Sequence, residues 1–145
     1  LINFGHLESS LNPEPLFFVQ QPDGVTGWAE IDRQAAFLKH IRLANPSLLV
    51  FATPNAGKRN PFLARKEGIM AGVFDICVIG VGMVAYIEFK GYAKSGNKGK
   101  LSNAQIEFGN RCVALQIPCA CFYDPHAAVD WLKSVGFAAR SSPLH

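Results

Sequence analysis

Asp75, Glu88 and Lys90 are the only charged residues in the stretch 72–90, GVFDICVIGVGMVAYIEFK, and their types suit one kind of chemistry. Two carboxylates a few ångströms apart can hold one or two Mg2+ or Mn2+ ions in a shell completed by water and substrate phosphate. The backbone carbonyl of Phe89, between Glu88 and Lys90 in the chain, is a natural further ligand. A lysine on the same face can orient or deprotonate an attacking water and balance the negative charge that develops. Such a set is suited to phosphodiester hydrolysis. The spacing D-x12-E-x-K does not by itself establish it, because charged residues commonly end strands.

The elements around the triplet must bring it together. Residues 76–79 and 83–87 are rich in β-branched and aromatic side chains, and Gly80-Val81-Gly82 between them predicts a tight hairpin. Alternation along the second strand puts Val84, Tyr86, Glu88 and Lys90 on one face. With Val81-Gly82 as the loop, Gly80 pairs with Met83 and Asp75 falls opposite Glu88; a one-residue change in the loop shifts that pairing. Like charges converging where an apolar sheet ends are costly unless a cation offsets the repulsion.

Upstream, residues 1–27 carry three prolines and show no sustained period, so they read as an N-terminal arm, with Leu16-Phe17-Phe18-Val19 able to dock as an edge strand. A helix over 28–44 is predicted, capped by Thr26 or Gly27 and ended by Asn45-Pro46. Ile31, Ala35, Leu38 and Ile41 form one stripe on it; Glu30, Gln34, Phe37 and Ile41 form the next. Glu30 then sits at the edge of the buried face, where first-turn stabilisation by the helix dipole and a place in the site are both open. A strand at 47–52, a loop at 53–59 and a short helix at 61–68 come next. After the hairpin, 91–100 reads as a flexible Gly/Ser/Lys loop. Ser102-Asn103-Ala104-Gln105 fits a capping box opening a helix to about 116. Gln105 faces the core side of that helix, so capping and lining the site are both open. A strand at 117–123 and a helix from Asp124-Pro125 to Val135, with Ala128, Trp131 and Leu132 buried, complete the order αβββαβα. The class is α/β (α+β-like), a mixed central sheet flanked by helices: one domain over 28–138, the arm at 1–27, and a loose tail over 139–145 or from Phe137 onward.

The chain of 145 residues has 49% apolar and 17% charged residues and no apolar run near the length of a membrane span, a composition ordinary for a soluble globular protein, so no membrane partner is expected. Its net charge of +3 is mild but unevenly placed. Lys58, Arg59, Arg65 and Lys66 precede the hairpin and Lys94, Lys98 and Lys100 come after it, so either a polyanionic substrate or plain solvated surface accounts for them. Cys77, Cys112, Cys119 and Cys121 lack zinc or redox spacing and read as small buried hydrophobes in a reducing cytosol. No basic-then-apolar leader opens the chain, so secretion is not expected; Leu1 in place of Met reads as a fragment or a trimmed chain. His6, His40, His126 and His145 have no ligand spacing, and Asn55-Ala56-Gly57-Lys58 lacks the Walker pattern. Tyr86, on the face of Glu88 and Lys90, is either core or a neighbour of substrate.

The wider pattern resembles a known group. Gly72-Val73-Phe74-Asp75 followed by Ile87-Glu88-Phe89-Lys90 resembles the PD-(D/E)xK nuclease superfamily. More specifically the chain is similar to the VRR-NUC family, the virus-type replication-repair nucleases. The resemblance runs from about Glu30 to Val135 and takes in the 54–59 loop, Gly68, and Ser102-Asn103-Ala104-Gln105. It implies a restriction-endonuclease-like core and a Mg2+- or Mn2+-dependent endonuclease acting on branched, junction or flap DNA in the cytoplasm, nucleoid or nucleus. It implies that Asp75 and Glu88 are metal ligands, that Lys90 stands near the nucleophilic water, that Glu30 helps the metal site and that Gln105 lines it. DNA contacts are expected from Asn55, Lys58, Arg59, Arg65, Lys66, Lys94, Lys98 and Lys100, and the molecule is expected to pair as a homodimer. A Holliday-junction resolvase or restriction-type enzyme of the same superfamily and a non-catalytic DNA-binding module are the alternatives. One departure is visible: Phe74 stands where the family usually has proline.

Overall fold

A computed structural model describes residues 13–53 and 60–137. The expectations placed on Asn55, Lys58, Arg59, His6, His145 and the tail at 139–145 lie outside these residues. Five strands, β1 (Phe18–Val19), β2 (Leu49–Ala52), β3 (Ile76–Gly80), β4 (Met83–Phe89) and β5 (Cys119–Phe122), form one mixed sheet in the order β1-β5-β4-β3-β2. The helices are α1 (Glu30–Ala44), α2 (Pro61–Glu67), α3 (Asn103–Ala114) and α4 (Pro125–Ser134). Strand β4 is the centre, antiparallel to β3 and parallel to β5.

The hairpin has the expected register. Gly80 pairs with Met83 and Ile76 with Ile87, so one step further Asp75 lies opposite Glu88. Gly82 has φ +67°, the left-handed backbone that closes a two-residue loop without a Cβ penalty. On one sheet face Ile76, Val78, Ala85, Ile87, Phe89, Ala120 and Phe122 meet Phe37 and Ile41 of α1 and Ala128, Val129 and Leu132 of α4. On the other face Tyr86 and Cys119 meet Cys112 and Phe108 of α3. The sheet is therefore covered by α1 and α4 on one side and by α3 on the other.

Several expectations change. The cap of α1 is Ala29, with no side-chain bond, in place of Thr26 or Gly27. Its buried residues are Arg33, Phe37 and Ile41, while Ile31 and Ala35 point to water, so the stripe containing Glu30 is the one turned inward. Residues 18–19 do dock as an edge strand, parallel to β5. The segment 91–100 is not an open loop: Tyr92 and Lys98 form a β-bridge, closed by Ala93 N–H donating to the Asn97 carbonyl at 2.9 Å and Gly99 N–H to the Gly91 carbonyl at 2.8 Å. In α4, Val129 takes the buried place expected of Trp131, which is only partly buried. Phe137, expected in the loose tail, is buried in the core, its N–H bonded to the Leu132 carbonyl at 2.8 Å. All four cysteines are free and buried, as small hydrophobes in sheet and helix packing should be.

Candidate active site

The ends of β3 and β4 hold each other through the two acids themselves. Asp75 N–H donates to Glu88 Oε1 and Phe89 N–H donates to Asp75 Oδ2, each at 3.0 Å. The exchange replaces the ladder bonds that would be lost as the strands end, and it fixes both carboxylates side by side. Glu88 Oε2 accepts from Gln105 Nε2 at 2.9 Å and faces Lys90 Nζ at 3.2 Å. Glu88 is 1% exposed and Lys90 8%, so this is a buried ionic cluster at the end of the sheet's central strand. One oxygen from each of Glu30, Asp75 and Glu88 lies within 4.8 Å of the others.

Glu30 and Gln105 reach the cluster because glycines let their helices approach. A Cβ on Gly91 would stand 2.6 Å from the Glu30 amide nitrogen and 2.9 Å from the Ala29 carbonyl carbon; only glycine allows the strand end to touch the start of α1. Gly72, at φ +85°, is in the same relation to the Ala104 carbonyl at the start of α3. The first turn of α3 is set by its capping box: Gln105 N–H donates to Ser102 Oγ at 3.1 Å, and Ser102 N–H to Gln105 Oε1 at 2.9 Å. Gln105 does both jobs between which the sequence left a choice. Its oxygen caps the helix, and its amide nitrogen is thereby aimed at Glu88. Phe74, in the position of the family's proline, is wholly buried between Phe17 and Phe108, at ring distances of 5.3 and 5.2 Å. It ties the arm and α3 to the strand that carries Asp75.

The charges do not balance. Burial, then the neighbouring Asp75, pushes the Glu88 carboxyl up from 4.5 to about 8, against the opposing pull of Lys90. Burial also raises Asp75 and Glu30 above the ordinary carboxylate range. Lys90 is raised despite its burial, because Glu88 and Glu30 hold its proton. It is thus an ammonium at neutral pH, a hydrogen-bond donor and not a base. Three carboxylates around one ammonium hold protons more tightly than ordinary acids do, or take a divalent cation in their place.

The basic residues divide. Lys98 and Lys100 line a cavity of about 230 Å³ that Lys90 also lines, and Arg65, Lys66 and Lys94 do not line it. Those three are exposed, the first two in the last turn of α2 and Lys94 in the 91–99 turn. Tyr86 packs edge-on to Phe108 at 5.1 Å, a core role. His40 and His126 are exposed and packed edge to face at 4.8 Å, and neither belongs to the acid cluster. Sequence reasoning missed Gln20 and Gln21 on the cavity wall, and Arg33. The Phe-Phe-Val run docking as a strand was the signal for the glutamines, since the residues after an edge strand beside β5 must pass that strand's end. Arg33 at helical spacing from Phe37 was the signal for its burial. Among the described residues no helix is long and apolar enough to cross a membrane. Comparison with protein-family models, curated proteins and solved structures returns no match to this chain.

Proposed function

We propose that this chain is a metal-dependent deoxyribonuclease of the PD-(D/E)xK type, close to the VRR-NUC family, that hydrolyses phosphodiester bonds in branched or otherwise structured DNA. The observation that carries the reading is the convergence of Glu30, Asp75 and Glu88, three acids from three different elements, on one half-buried point beside Lys90. Structural acids are ordinarily paired one to one with cations; three against one lysine fit a site for a divalent ion. Asp75, Glu88, Glu30 and the Phe89 carbonyl are the oxygens that would hold it. Mg2+ or Mn2+ there would polarise the phosphate and make bound water more acidic.

The chain's own groups have distinct tasks. Lys90, held as an ammonium by Glu88, donates to the phosphate or the attacking water and offsets charge as the pentavalent state forms. Gln105 keeps Glu88 oriented through the 2.9 Å bond, so the acid does not swing toward Lys90 alone. The order of helices and strands around β4 supports a restriction-endonuclease-like core. Pairing of two copies is the quaternary form we propose with it, supported by Leu49, Phe51 and Ile79, exposed side chains on one end of the α3-side sheet face that no other described element covers.

The test is cleavage of a panel of four-way, flap, nicked and linear DNA with Mg2+ or Mn2+, alongside melting with and without the ion. Wild-type protein should cut and should melt higher with the ion. Asp75→Ala and Lys90→Ala should lose cleavage with the fold retained, and Asp75→Ala should also lose the metal-dependent rise in melting. Undiminished cleavage by both variants would sink the reading. Preference within the panel separates a flap enzyme from a junction resolvase or a restriction-type nuclease. Gel retardation with no metal-dependent product would instead identify a non-catalytic DNA-binding module.

A further inference from the structure

The cavity beside Lys90 is built from three separate parts of the chain. The arm supplies Gln20 and Gln21, the stretch 98–101 at the end of the bridged segment supplies Lys98 and Lys100, and the end of β5 supplies Tyr123. The walls are fixed to one another. Tyr123 Oη donates to the Gly99 carbonyl at 2.8 Å, and Tyr92 Oη accepts from Gly24 N–H at 2.9 Å. Gln20 Oε1 accepts from both Tyr123 N–H and Asp124 N–H, at 2.8 and 2.9 Å, which leaves its Nε2 as that side chain's remaining polar group. Three lysines and two carboxamides line the space, and among the described residues no carboxylate does. The opposite charge pattern prevails one side chain away, where Lys90 meets Glu88. A cavity that is basic, carries amide donors and holds about 230 Å³ has room for a phosphate with its attached sugar, and is below the usual range for larger ligands.

We propose that this cavity is a phosphate subsite, in which the 19–22 segment and the 98–100 segment grip the sugar-phosphate unit of a nucleic-acid strand next to the one at the acid cluster. Recognition of phosphate rests on the lining alone; assigning that phosphate to the substrate strand rests on the nuclease reading. The arm is then part of the substrate site, and Lys90 is the shared wall between a site for cations and a site for anions.

Metal-free protein in EDTA, followed by amide NMR, tests this without any catalysis. Inorganic phosphate, thymidine 5′-monophosphate, unphosphorylated thymidine and a short single-stranded oligonucleotide are titrated separately. The monophosphate and the oligonucleotide should shift the amides of Gln21, Gly99 and Leu101, and thymidine should not. Shifts with inorganic phosphate equal to those with the oligonucleotide would overturn the strand assignment. Lys98→Ala with Lys100→Ala, both exposed and so tolerable to the fold, should weaken oligonucleotide binding about tenfold or more and reduce the log–log salt slope by about 0.7, the value for one phosphate contact on a single strand. Unchanged affinity and slope in that variant, or shifts confined to other surfaces, would overturn the subsite. Cavity shifts in a protein that never cleaves DNA with Mn2+ uphold the subsite and refute only the nuclease; cleavage without them does the reverse.

Discussion

Glu88 shows how one residue couples the site to stability. Its carboxyl has an unfolded value of 4.5 and is pushed up to about 8 in the fold. Between those values the folded chain holds a proton that the unfolded chain has released, so stability falls as pH rises through the window. Asp75 and Glu30 are raised too and act in the same sense. Lys90, also raised, stays charged throughout the window and adds no slope there. Thermal melting without metal should therefore decline from about pH 4.5 to about pH 8, and Glu88→Gln should flatten much of that decline. A melting temperature in wild type that rises or stays level across the window would contradict the buried, like-charged geometry. The pairing of Asp75 with Glu88 was legible in the chain because a hairpin with a two-residue loop leaves one register. Their burial was not, because it comes from α1 and α3 closing over the strand ends.

At the scale of elements, close approach is the deciding quantity. The end of β4 and the start of α1 touch at Gly91, and the turn before β3 touches the start of α3 at Gly72. In Gly91→Ala the new methyl would press on the backbone of Ala29 and Glu30, which cannot yield as a side-chain tip can. Overpacking of this kind costs about 1–3 kcal/mol. Melting should drop accordingly, and cleavage should fall further than melting explains, because Glu30 moves away from Asp75 and Glu88. Gly96→Ala is the control: its φ of +89° strains the backbone, but a Cβ there meets nothing within 4 Å, so it should lose stability with little loss of cleavage. A Gly91→Ala protein as active as wild type would mean that Glu30 is a first-turn acid only.

Across the described residues, the part of the arm from Pro13 onward is integral to the domain. Arg33, fully buried, bonds Asp23 Oδ2 at 2.7 Å and the carbonyls of Val25, Trp28 and Tyr123 at 2.7–2.8 Å. Its guanidinium also lies over the rings of Trp28, Tyr92 and Tyr123, 4.8–5.7 Å from their centroids. This one side chain joins the arm, α1, the 91–99 segment and β5. Asp23→Ala leaves a buried guanidinium short of its counter-charge and should cost roughly 1–3 kcal/mol by denaturant melting. Proteolysis should then open first near residues 20–28; cutting that starts elsewhere would show that the staple is not what holds the arm. Quaternary structure belongs at this scale as well. Light scattering should give twice the chain mass, and Phe51→Lys, on the uncovered sheet face, should return it to one; a wild-type monomer at all concentrations would exclude the pairing.

Local chemistry was legible in the chain itself: the hairpin register from Val81-Gly82, the capping box from Ser102 and Gln105, the start of α4 from Asp124-Pro125, and the acids at the strand ends. Each depends on contacts between near neighbours, where spacing alone sets geometry. What only the tertiary structure decided was long-range. The turn of α1 that faces inward, the arm's place on β5, and the choice of Lys98 and Lys100 over Arg65 and Lys66 beside Lys90 all depend on which surfaces the packed core leaves free. Hydrophobic burial is non-directional, so periodicity predicts that a helix has an apolar side but not which polar residue, Arg33 here, that side carries in with it.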